Sequence, residues 1–476
     1  MAGDADGVMT GQTGRKFTNW AKTFSCEPEL FFEPTTTEEI RQILDKARRD
    51  SKHVKVCGFG HSPSDIACTT DYMISLAKYR QVLEVDEENC VVTVQSGILL
   101  KELNEEVLPK YNMALSNQGA VSEISAAGVI STGTHGTGKT FGIFATHVLE
   151  MTMMTASGEV LRLSREENRG VFLTALVSLG SLGVFLTALV SLGSLGIILT
   201  VKIQCEPAYN LHSVQFSCSL DKMLSNLDKH LDENEHFKFM WYPYTNGVVA
   251  FLSNRTKKPV QTSTSWFWDY FVGYYILEFL LWLSTFCSSL LPYINKFYYS
   301  YIYAVPSERV DRSDKVFNFE CLFKQHVTEW SFPRSETANV LLTLQEWVRS
   351  HPEHKVHFPV EVRFVRSDDI YLSPCYQQDN CYINIISYRP YGKDTPKDAW
   401  WDMYESVMLK VGGKPHWAKA HKVNPERFQK LYPMFSKFCA TREKLDPQGM
   451  FLNPYLERHI LGMTPQMQFD VVKSHL

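Results

Sequence analysis

The sequence lacks the features that define several classes of protein. It has no surplus of basic charge, since 48 Lys and Arg face 52 Asp and Glu for a net charge of −4, and this argues against a nucleic-acid partner. Its 11 cysteines include no CxxC pair, which argues against a disulfide scaffold or a zinc site and predicts reduced thiols in a cytosol-facing domain. The opening residues, MAGDADGVMTGQTGRKF, contain no apolar run, so we expect no signal peptide.

Two nucleotide-binding motifs are also absent. In GFGHSPSD (58–65), Pro63 stands where the dinucleotide motif GxGxxG needs its third glycine, and no GxxxxGK[ST] sequence occurs. A nicotinamide Rossmann domain and a P-loop are therefore disfavoured. The same eight residues nevertheless follow a β-type run, HVKVC, and place two glycines and His61 in a polar loop. Such a loop presents backbone N–H groups to a phosphate or a flat cofactor, and a plain tight turn is the alternative.

The patterns that are present predict a globular α+β protein. A chain of 476 residues with 44% hydrophobic residues is expected to form two or three domains with a substantial core. Apolar residues recur at helical spacing in two segments and alternate like strands in five, namely 34–50 and 335–351 for helices, and 81–86, 90–97, 147–164, 358–366 and 380–388 for strands.

The segment Ala114–Gly138 consists mostly of small and hydroxylated residues. It has little side-chain bulk for a core, but its glycines allow a large ligand to lie directly against the main chain. A disordered linker is the alternative, and the β patterns on both sides argue against it.

One internal repeat is exact. The 13 residues Gly170–Leu182 recur as Gly183–Leu195. A solenoid needs three or more divergent units, so the repeat indicates a tandem duplication or a sequence error. With one copy removed, an ordinary buried helix leading into a strand remains.

A second apolar stretch, 266–305, predicts membrane association. Its only charged residues are Asp269, Glu278 and Lys296, and 17 uncharged residues separate the last two. This is the lower limit for spanning a bilayer, and the dense aromatic residues are typical of membrane interfaces. A pair of buried helices in a cap domain is the alternative.

Glu361 and Arg363 form the clearest candidate catalytic pair. They are two residues apart in an alternating strand, PVEVRF, and so share one face. A carboxylate can hold substrate hydroxyls, and a guanidinium can stabilise a developing negative charge. The alternative is a salt bridge on the protein surface, and the spacing of the two residues by itself favours this alternative.

Several motifs together carry a resemblance to a known family. They are HVKVCGFGHSPSDIAC, SNQGAVSEISAAGVISTGTHGTG, LGSLGIILTVKIQC, PVEVRF, KPHWAKAH and KLDPQGMFLNPYL. In this order they resemble the vertebrate type of the aldonolactone oxidoreductases, a branch of the vanillyl-alcohol oxidase flavoprotein family, from about Phe17 to Glu457. The six motifs together are specific for this family, whereas the GxGH motif alone is weak evidence for it.

The resemblance implies a two-domain α+β fold. Residues 1–23 would form an N-terminal extension, 24–207 a PCMH-type FAD-binding domain that includes the duplication at 170–195, and 208–476 a substrate-binding cap domain that includes the apolar segment 266–305. The cofactor implied is FAD, bound covalently through His61.

The resemblance also assigns the remaining cofactor contacts. The pyrophosphate would lie against the GFGHS loop, the flavin against the small-residue segment Ala114–Gly138, and the adenine against the backbone at Ile198. The residues implied are Gly58, Phe59, Gly60, Ser62 and Ser64; Asn117, Gly119, Ser125, Gly128, Thr132, Gly133, Thr134 and His135; and Ile198. The duplication, which departs from the family pattern, lies just ahead of the last contact.

For catalysis, the resemblance supports Glu361 and Arg363 as the family's E-x-R motif. It places Lys419 near the same flavin edge, where it would support the anionic reduced flavin or help to remove the hydroxyl proton; an exposed helix lysine is the alternative. His416, within about one helical turn of Lys419, and Asn384, on a strand next to Glu361, are further candidates, and either can be purely structural. We expect no metal.

The activity implied is oxidation of an aldono-1,4-lactone, L-gulono-1,4-lactone, at C2 by FAD, with tautomerisation of the product to L-ascorbate, the last step of ascorbate biosynthesis. Molecular oxygen would reoxidise the flavin to give hydrogen peroxide. The alternatives are an aldonolactone dehydrogenase that reduces cytochrome c, and a membrane-attached flavin-binding protein without turnover. The resemblance favours the endoplasmic reticulum membrane as the location.

Overall fold

The computed structural model describes residues 9–165, 186–262, 265–319, 321–357, 359–464 and 469. The first copy of the repeat, Gly170–Leu182, lies outside these residues, and the second copy is described only from Leu186. Residues 186–195 are largely buried and lead into a strand.

The N-terminal half contains two sheets that position the loop GFGHSPSD (58–65), called the glycine loop below. A three-stranded parallel sheet has the order β3–β5–β4, and a five-stranded antiparallel sheet has the order β10–β9–β11–β7–β6. The strands of this half are β1 (Phe17–Thr18), β2 (Ser25–Cys26), β3 (Leu30–Phe32), β4 (Val54–Cys57), β5 (Tyr72–Ser75), β6 (Val82–Asp86), β7 (Val91–Gln95), β8 (Met113–Ala114), β9 (Val148–Met154), β10 (Val160–Ser164), β11 (Ile197–Gln204) and β12 (Glu206–Pro207).

The first helix shows why the sequence pattern was informative. Thr36 caps Thr37–Arg49 in a capping box with Glu39, which satisfies N–H groups that the helix itself leaves unpaired. The apolar residues at helical spacing, Ile40, Ile43, Leu44 and Ala47, are all buried, as the period of 3.6 requires.

The C-terminal half is built on one eight-stranded antiparallel sheet with the order β16–β13–β15–β14–β18–β19–β17–β20. Its strands are β13 (Asn210–Ser219), β14 (His236–Tyr242), β15 (Gly247–Thr256), β16 (Ser307–Arg312), β17 (Gln325–Pro333), β18 (Val360–Val365), β19 (Asn380–Tyr388) and β20 (Lys414–Pro415). Beyond the first, the α-helices whose bounds lie within the described residues are Leu100–Glu102, Ala126–Ser131, Leu220–Ser225, Leu227–Glu233, Leu277–Ser284, Leu291–Tyr298, Ser313–Phe317, Thr337–Ser350, Asp398–Lys410, Pro425–Leu431, Phe435–Leu445 and Pro454–Leu456.

The end of the chain returns to the first half. The Val54 backbone N donates to the Met450 carbonyl oxygen at 2.7 Å, and the buried Asn453 side-chain amide donates to the carbonyl oxygens of Ile66 and Cys68 at 3.0 and 2.9 Å. These contacts fix the base of the glycine loop, since β4 leads directly into it.

The apolar segment 266–305 folds as a helical hairpin. Its two α-helices, Leu277–Ser284 and Leu291–Tyr298, bury one side in a small core with Tyr388 and expose aromatic side chains on the other. Among the described residues, no helix combines the length and apolar character needed to cross a bilayer. The alternative of a pair of buried helices holds for the inner side of the hairpin only, because the outer side is exposed.

Candidate active site

One cavity collects residues from both halves of the chain. It is lined by the glycine loop, by the small-residue segment, by residues 192–198 and by one face of the eight-stranded sheet. The candidate residues on its wall are Gly58, Phe59, Gly60, His61, Ser62, Gly119, Ser125, Gly128, Thr132, Thr134, His135, Ile198, Glu361, Arg363, Asn384, His416 and Lys419. Positions more than 350 residues apart therefore meet in one space.

Three candidate residues lie behind this wall. Ser64 donates its hydroxyl to the Ala418 carbonyl oxygen at 3.0 Å and so joins the glycine loop to the cap. The Asn117 side-chain oxygen is buried and accepts from the Gln118 backbone N. Gly133 has a φ of +67°, a conformation that glycine adopts without strain. Their positions indicate that they shape the cavity from outside.

The glycine loop needs its glycines for two different reasons. A Cβ on Gly58 would collide with the Ser125 hydroxyl oxygen, so any side chain there would push the small-residue segment away. Gly60 has a φ of +70°, which bulkier residues adopt only with strain. The backbone of the glycine loop therefore packs directly against Ser125, the N-cap of the helix Ala126–Ser131. Because the small-residue segment contains this helix, the alternative of a disordered linker is wrong.

His61 lies on the cavity wall as a neutral imidazole. Burial lowers its pKa to about 4; Glu123 opposes this shift, and Lys324 and Lys419 add to it. Its free nitrogen lone pair is therefore available at neutral pH, as nucleophilic attack requires. The Trp20 ring stacks against it at 5.7 Å between ring centroids, with the planes 16° apart.

The register of the large sheet explains how the polar residues meet. Glu329 of β17 pairs with Asn384 of β19, which pairs with Glu361 of β18, which pairs with Met240 of β14. Residues that are directly opposite one another point to the same side of a sheet, and all four line the cavity. Asn384 therefore lies between two carboxylates, on the same face as Glu361.

Glu361 belongs to a buried ion-pair network. Its Oε1 lies 2.8 Å from Nη2 of Arg363 and 3.1 Å from Nζ of Lys238. Burial by itself raises the pKa of Glu361, but the charges of Arg363 and Lys238 outweigh it and hold the pKa at about 2. Glu361 and Arg363 are only 6% and 8% exposed, so the alternative of a surface salt bridge is wrong. The carboxylate stays ionised and accepts hydrogen bonds.

Lys419 is held by a second carboxylate that the sequence analysis missed. Its Nζ lies 3.8 Å from Oε2 of Glu329, whose Oε1 lies 3.3 Å from Nε2 of His135. Burial raises the pKa of Glu329, but the hydrogen bond with His135 and the charge of Lys419 bring it well below its usual range. Residues 416–421 form no helix. Lys419 instead lies in a turn, in which its backbone N donates a hydrogen bond to the His416 carbonyl oxygen at 2.9 Å. The alternative of an exposed lysine on a helix is therefore wrong.

His416 completes this corner of the cavity without acting as a metal ligand. One nitrogen of His416, one nitrogen of His135 and one carboxylate oxygen of Glu329 lie within 4.8 Å of one another, which is close enough to suggest a metal site. However, Nδ1 of His416 accepts a hydrogen bond from the Ala418 backbone N at 3.1 Å. Burial lowers the His416 pKa to about 3, so Nε2 of the neutral ring carries the proton and has no lone pair for a metal.

Three further residues could have been noticed in the sequence. Glu329 and Lys238 are isolated charges within the apolar strands QHVTEWSFP and HFKFMWY, and such charges need partners when buried. Lys55 is a similar case: it lines the cavity near Ile198 and donates to the Leu192 carbonyl oxygen at 3.0 Å, and burial lowers its pKa to about 7.

The residues present fit FAD. The backbone of the glycine loop suits a pyrophosphate, and the same cavity is lined by Lys55, His61 and the ion pair of Glu361 with Arg363. Nε of Arg363 and Oδ1 of Asn384 are buried without a hydrogen-bond partner among the described residues. Unpaired buried groups of this kind require a ligand or water, so the site is complete only when filled.

Comparison with known proteins agrees with this geometry. Residues 28–164 match the model of the FAD binding domain family, and 201–459 match that of the D-arabinono-1,4-lactone oxidase family. A solvent-stable cholesterol oxidase has the same fold, with a TM-score of 0.76 at 16% identity over 94% of this chain and 97% of that one. The predicted α+β, PCMH-type FAD-binding fold with a C-terminal substrate domain is confirmed, and the protein is an FAD-dependent oxidoreductase.

Closer relatives narrow the class. L-gulonolactone oxidase of Scyliorhinus torazame is 53% identical over 94% of this chain and 99% of that protein, and L-gulonolactone oxidase of Bos taurus is 50% identical over 95% and 99%. The chain belongs to the L-gulonolactone oxidase family, within the aldonolactone oxidoreductases.

Proposed function

We propose that the protein oxidises the C2 hydroxyl of L-gulono-1,4-lactone and that the product tautomerises to L-ascorbate. The observation that carries this proposal is the polar row Glu329–Asn384–Glu361 with Arg363 and Lys419, which faces the same cavity as His61. A sugar lactone offers several hydroxyls and a carbonyl to such groups. The names of the relatives support the choice of lactone.

Each polar group of the cavity has a task that its surroundings permit. The ionised Glu361 accepts hydrogen bonds from lactone hydroxyls, and the Asn384 oxygen beside it accepts another. Arg363 and Lys419 place two positive charges where negative charge develops. Bound FAD would supply a two-electron acceptor for the hydride. Burial of the network keeps water from competing for these contacts.

The test is turnover by the purified holoenzyme. We expect L-gulono-1,4-lactone to be converted to ascorbate with consumption of dissolved oxygen and formation of an equal amount of hydrogen peroxide, measured with an oxygen electrode and a peroxide assay. Lactone-dependent reduction of cytochrome c without oxygen uptake would favour the dehydrogenase instead. A flavin that the lactone does not bleach would contradict both activities.

We propose further that the FAD is attached covalently through His61. The neutral imidazole on the cavity wall and the family likeness support this attachment. A covalent bond makes the flavin a stronger oxidant, which suits an alcohol as electron donor.

Membrane association is proposed through the outer side of the hairpin 266–305, at the endoplasmic reticulum. Its exposed aromatic residues include Trp266, Phe286, Tyr293 and Tyr301, which are 64% to 71% exposed. An amphipathic surface rich in Trp, Phe and Tyr lies at the headgroup level of a bilayer rather than across it. Family likeness supports the endoplasmic reticulum as the particular membrane.

Replacing three of these residues should release the protein from vesicles. The triple variant Trp266→Ser, Phe286→Ser and Tyr293→Ser is expected to weaken binding to phosphatidylcholine vesicles at least about 1000-fold, because each buried aromatic side chain contributes about 1.5 to 3 kcal/mol. Vesicle flotation measures the bound fraction.

The matched control replaces Tyr111 and Leu149, which are exposed outside the hairpin, by Ser. It should float like the parent protein, and equal flotation of all three proteins would contradict a role for the hairpin. Co-sedimentation of tagged protein with endoplasmic reticulum markers tests the location.

A further inference from the structure

The segment that the sequence analysis set aside as an N-terminal extension packs against the glycine loop. Residues 17–26 form a small hairpin in which β1 pairs with β2. The Trp20 backbone N donates to the Gly60 carbonyl oxygen at 2.8 Å. The Asn19 side-chain amide donates to the Ser62 carbonyl oxygen at 3.0 Å. The two residues on either side of His61 are thus fixed to this hairpin.

The turn of the hairpin is rigid because Asn19 organises it. The Asn19 side-chain oxygen accepts hydrogen bonds from the backbone N of Thr23 at 2.8 Å and of Phe24 at 3.1 Å. Asn19 is almost fully buried, and a buried amide with all of these partners cannot move without losing them.

The Trp20 ring contacts two other side chains. The His61 imidazole stacks against it almost in parallel, and the Lys324 ammonium lies 4.2 Å from the indole centroid. Aromatic stacking and cation–π contacts each stabilise such an arrangement. His61 lies on the cavity wall whereas Trp20 does not, so Trp20 supports the imidazole from behind.

We propose that Trp20 is a positioning residue for the attachment of the flavin to His61, held in place by Asn19 and Lys324. This inference rests on the proposed covalent linkage. In the attachment, a C–N bond replaces one N–H of the imidazole and one C–H of the 8α-methyl group; the two protons leave to solvent, and the two electrons pass to the flavin and then to molecular oxygen, giving hydrogen peroxide. Trp20 fixes the imidazole in the orientation that this bond requires, and orientation governs the rate of such intramolecular reactions.

The experiment measures attachment rather than turnover. Full-length protein produced without flavin is mixed with FAD in air, and samples are precipitated with acid at intervals and examined for flavin fluorescence on a denaturing gel. Trp20→Leu is expected to attach FAD about tenfold more slowly than the parent protein, because the aromatic ring that orients the imidazole by stacking is lost. Trp20→Phe keeps a flat ring and should stay within about threefold of the parent rate.

A second Trp–His stack in the chain provides the matched control. Trp347 stacks on His351 at 4.8 Å with the planes 17° apart, on the helix Thr337–Ser350 and away from the cavity. Trp347→Leu should attach FAD at the parent rate. The total FAD bound before acid treatment should be the same in all variants, which separates attachment from binding.

The outcomes distinguish the inference from its premise. Parent protein that releases all its flavin in acid would overturn both the linkage and the role of Trp20. Covalent flavin in the parent with an unchanged rate in Trp20→Leu would overturn only the role of Trp20. If Trp20→Leu does not fold, Lys324→Met, which removes only the ammonium over the Trp20 ring, should attach FAD about threefold more slowly, and an unchanged rate there would overturn the inference.

Discussion

Arg363→Met is expected to lower kcat/KM for the lactone by about 100- to 1000-fold. The guanidinium is buried, faces the cavity and has an Nε without a hydrogen-bond partner among the described residues, so it is available to the charge that develops in the transition state. Loss of one such preorganised donor typically costs this factor. The steady-state rate of ascorbate formation measures the effect.

The variant should still fold, because Glu361 keeps Lys238 as a partner at 3.1 Å and methionine has a similar length. Its melting temperature and FAD content serve as checks. The control is Arg80→Met, which removes a half-exposed arginine that pairs with Glu102 outside the cavity; such surface pairs contribute little. Parent-like turnover by Arg363→Met would exclude the guanidinium from the reaction.

His61→Ala is expected to abolish covalent flavin completely. No other group is proposed as the attachment point, so acid-precipitated protein should show no flavin fluorescence, while FAD can still bind non-covalently to the glycine loop. His354→Ala, which removes an exposed histidine, should retain the parent fluorescence. Fluorescence that persists in His61→Ala would place the linkage elsewhere.

The pH dependence of attachment provides an independent check on the same residue. Burial holds the pKa of His61 at about 4, and only the neutral ring has a free lone pair. Attachment should therefore proceed at a constant rate from pH 8 down to about pH 5 and fall as the pH passes through 4. A fall centred near pH 6.5 would show that the imidazole is not held as the structure places it.

Much of the local structure followed from sequence periodicity. The strand 380–388 and the helix within 34–50 appear where the patterns predicted them: the helix buries one regular set of apolar residues, and the strand is buried on both faces. The sequence of 266–305 predicted membrane association without deciding between a spanning and a peripheral mode, since an exposed aromatic surface and a membrane-spanning helix have similar composition. Only the packing of Leu277–Ser284 against Leu291–Tyr298 distinguishes them.

The candidate site was partly predictable. His61, Glu361 and Arg363 stand in short motifs, and the structure brings them to one cavity. Glu329 and Lys238 belong to no motif; their isolation in apolar strands marks them as charges that need a buried partner, but only the register of β14, β17, β18 and β19 shows which partners they meet. Trp20 could not be found from any motif, since its role depends on a hairpin folding back against a loop 40 residues later.

The pairing of Met450 with Val54 has a consequence for the order of events during synthesis. The strand β4, which leads into the glycine loop, gains the Met450 backbone as a partner only when this residue has left the ribosome. Support of the glycine loop therefore depends on a segment almost 400 residues further along the chain, and a chain that stops before Met450 lacks this backbone partner for Val54.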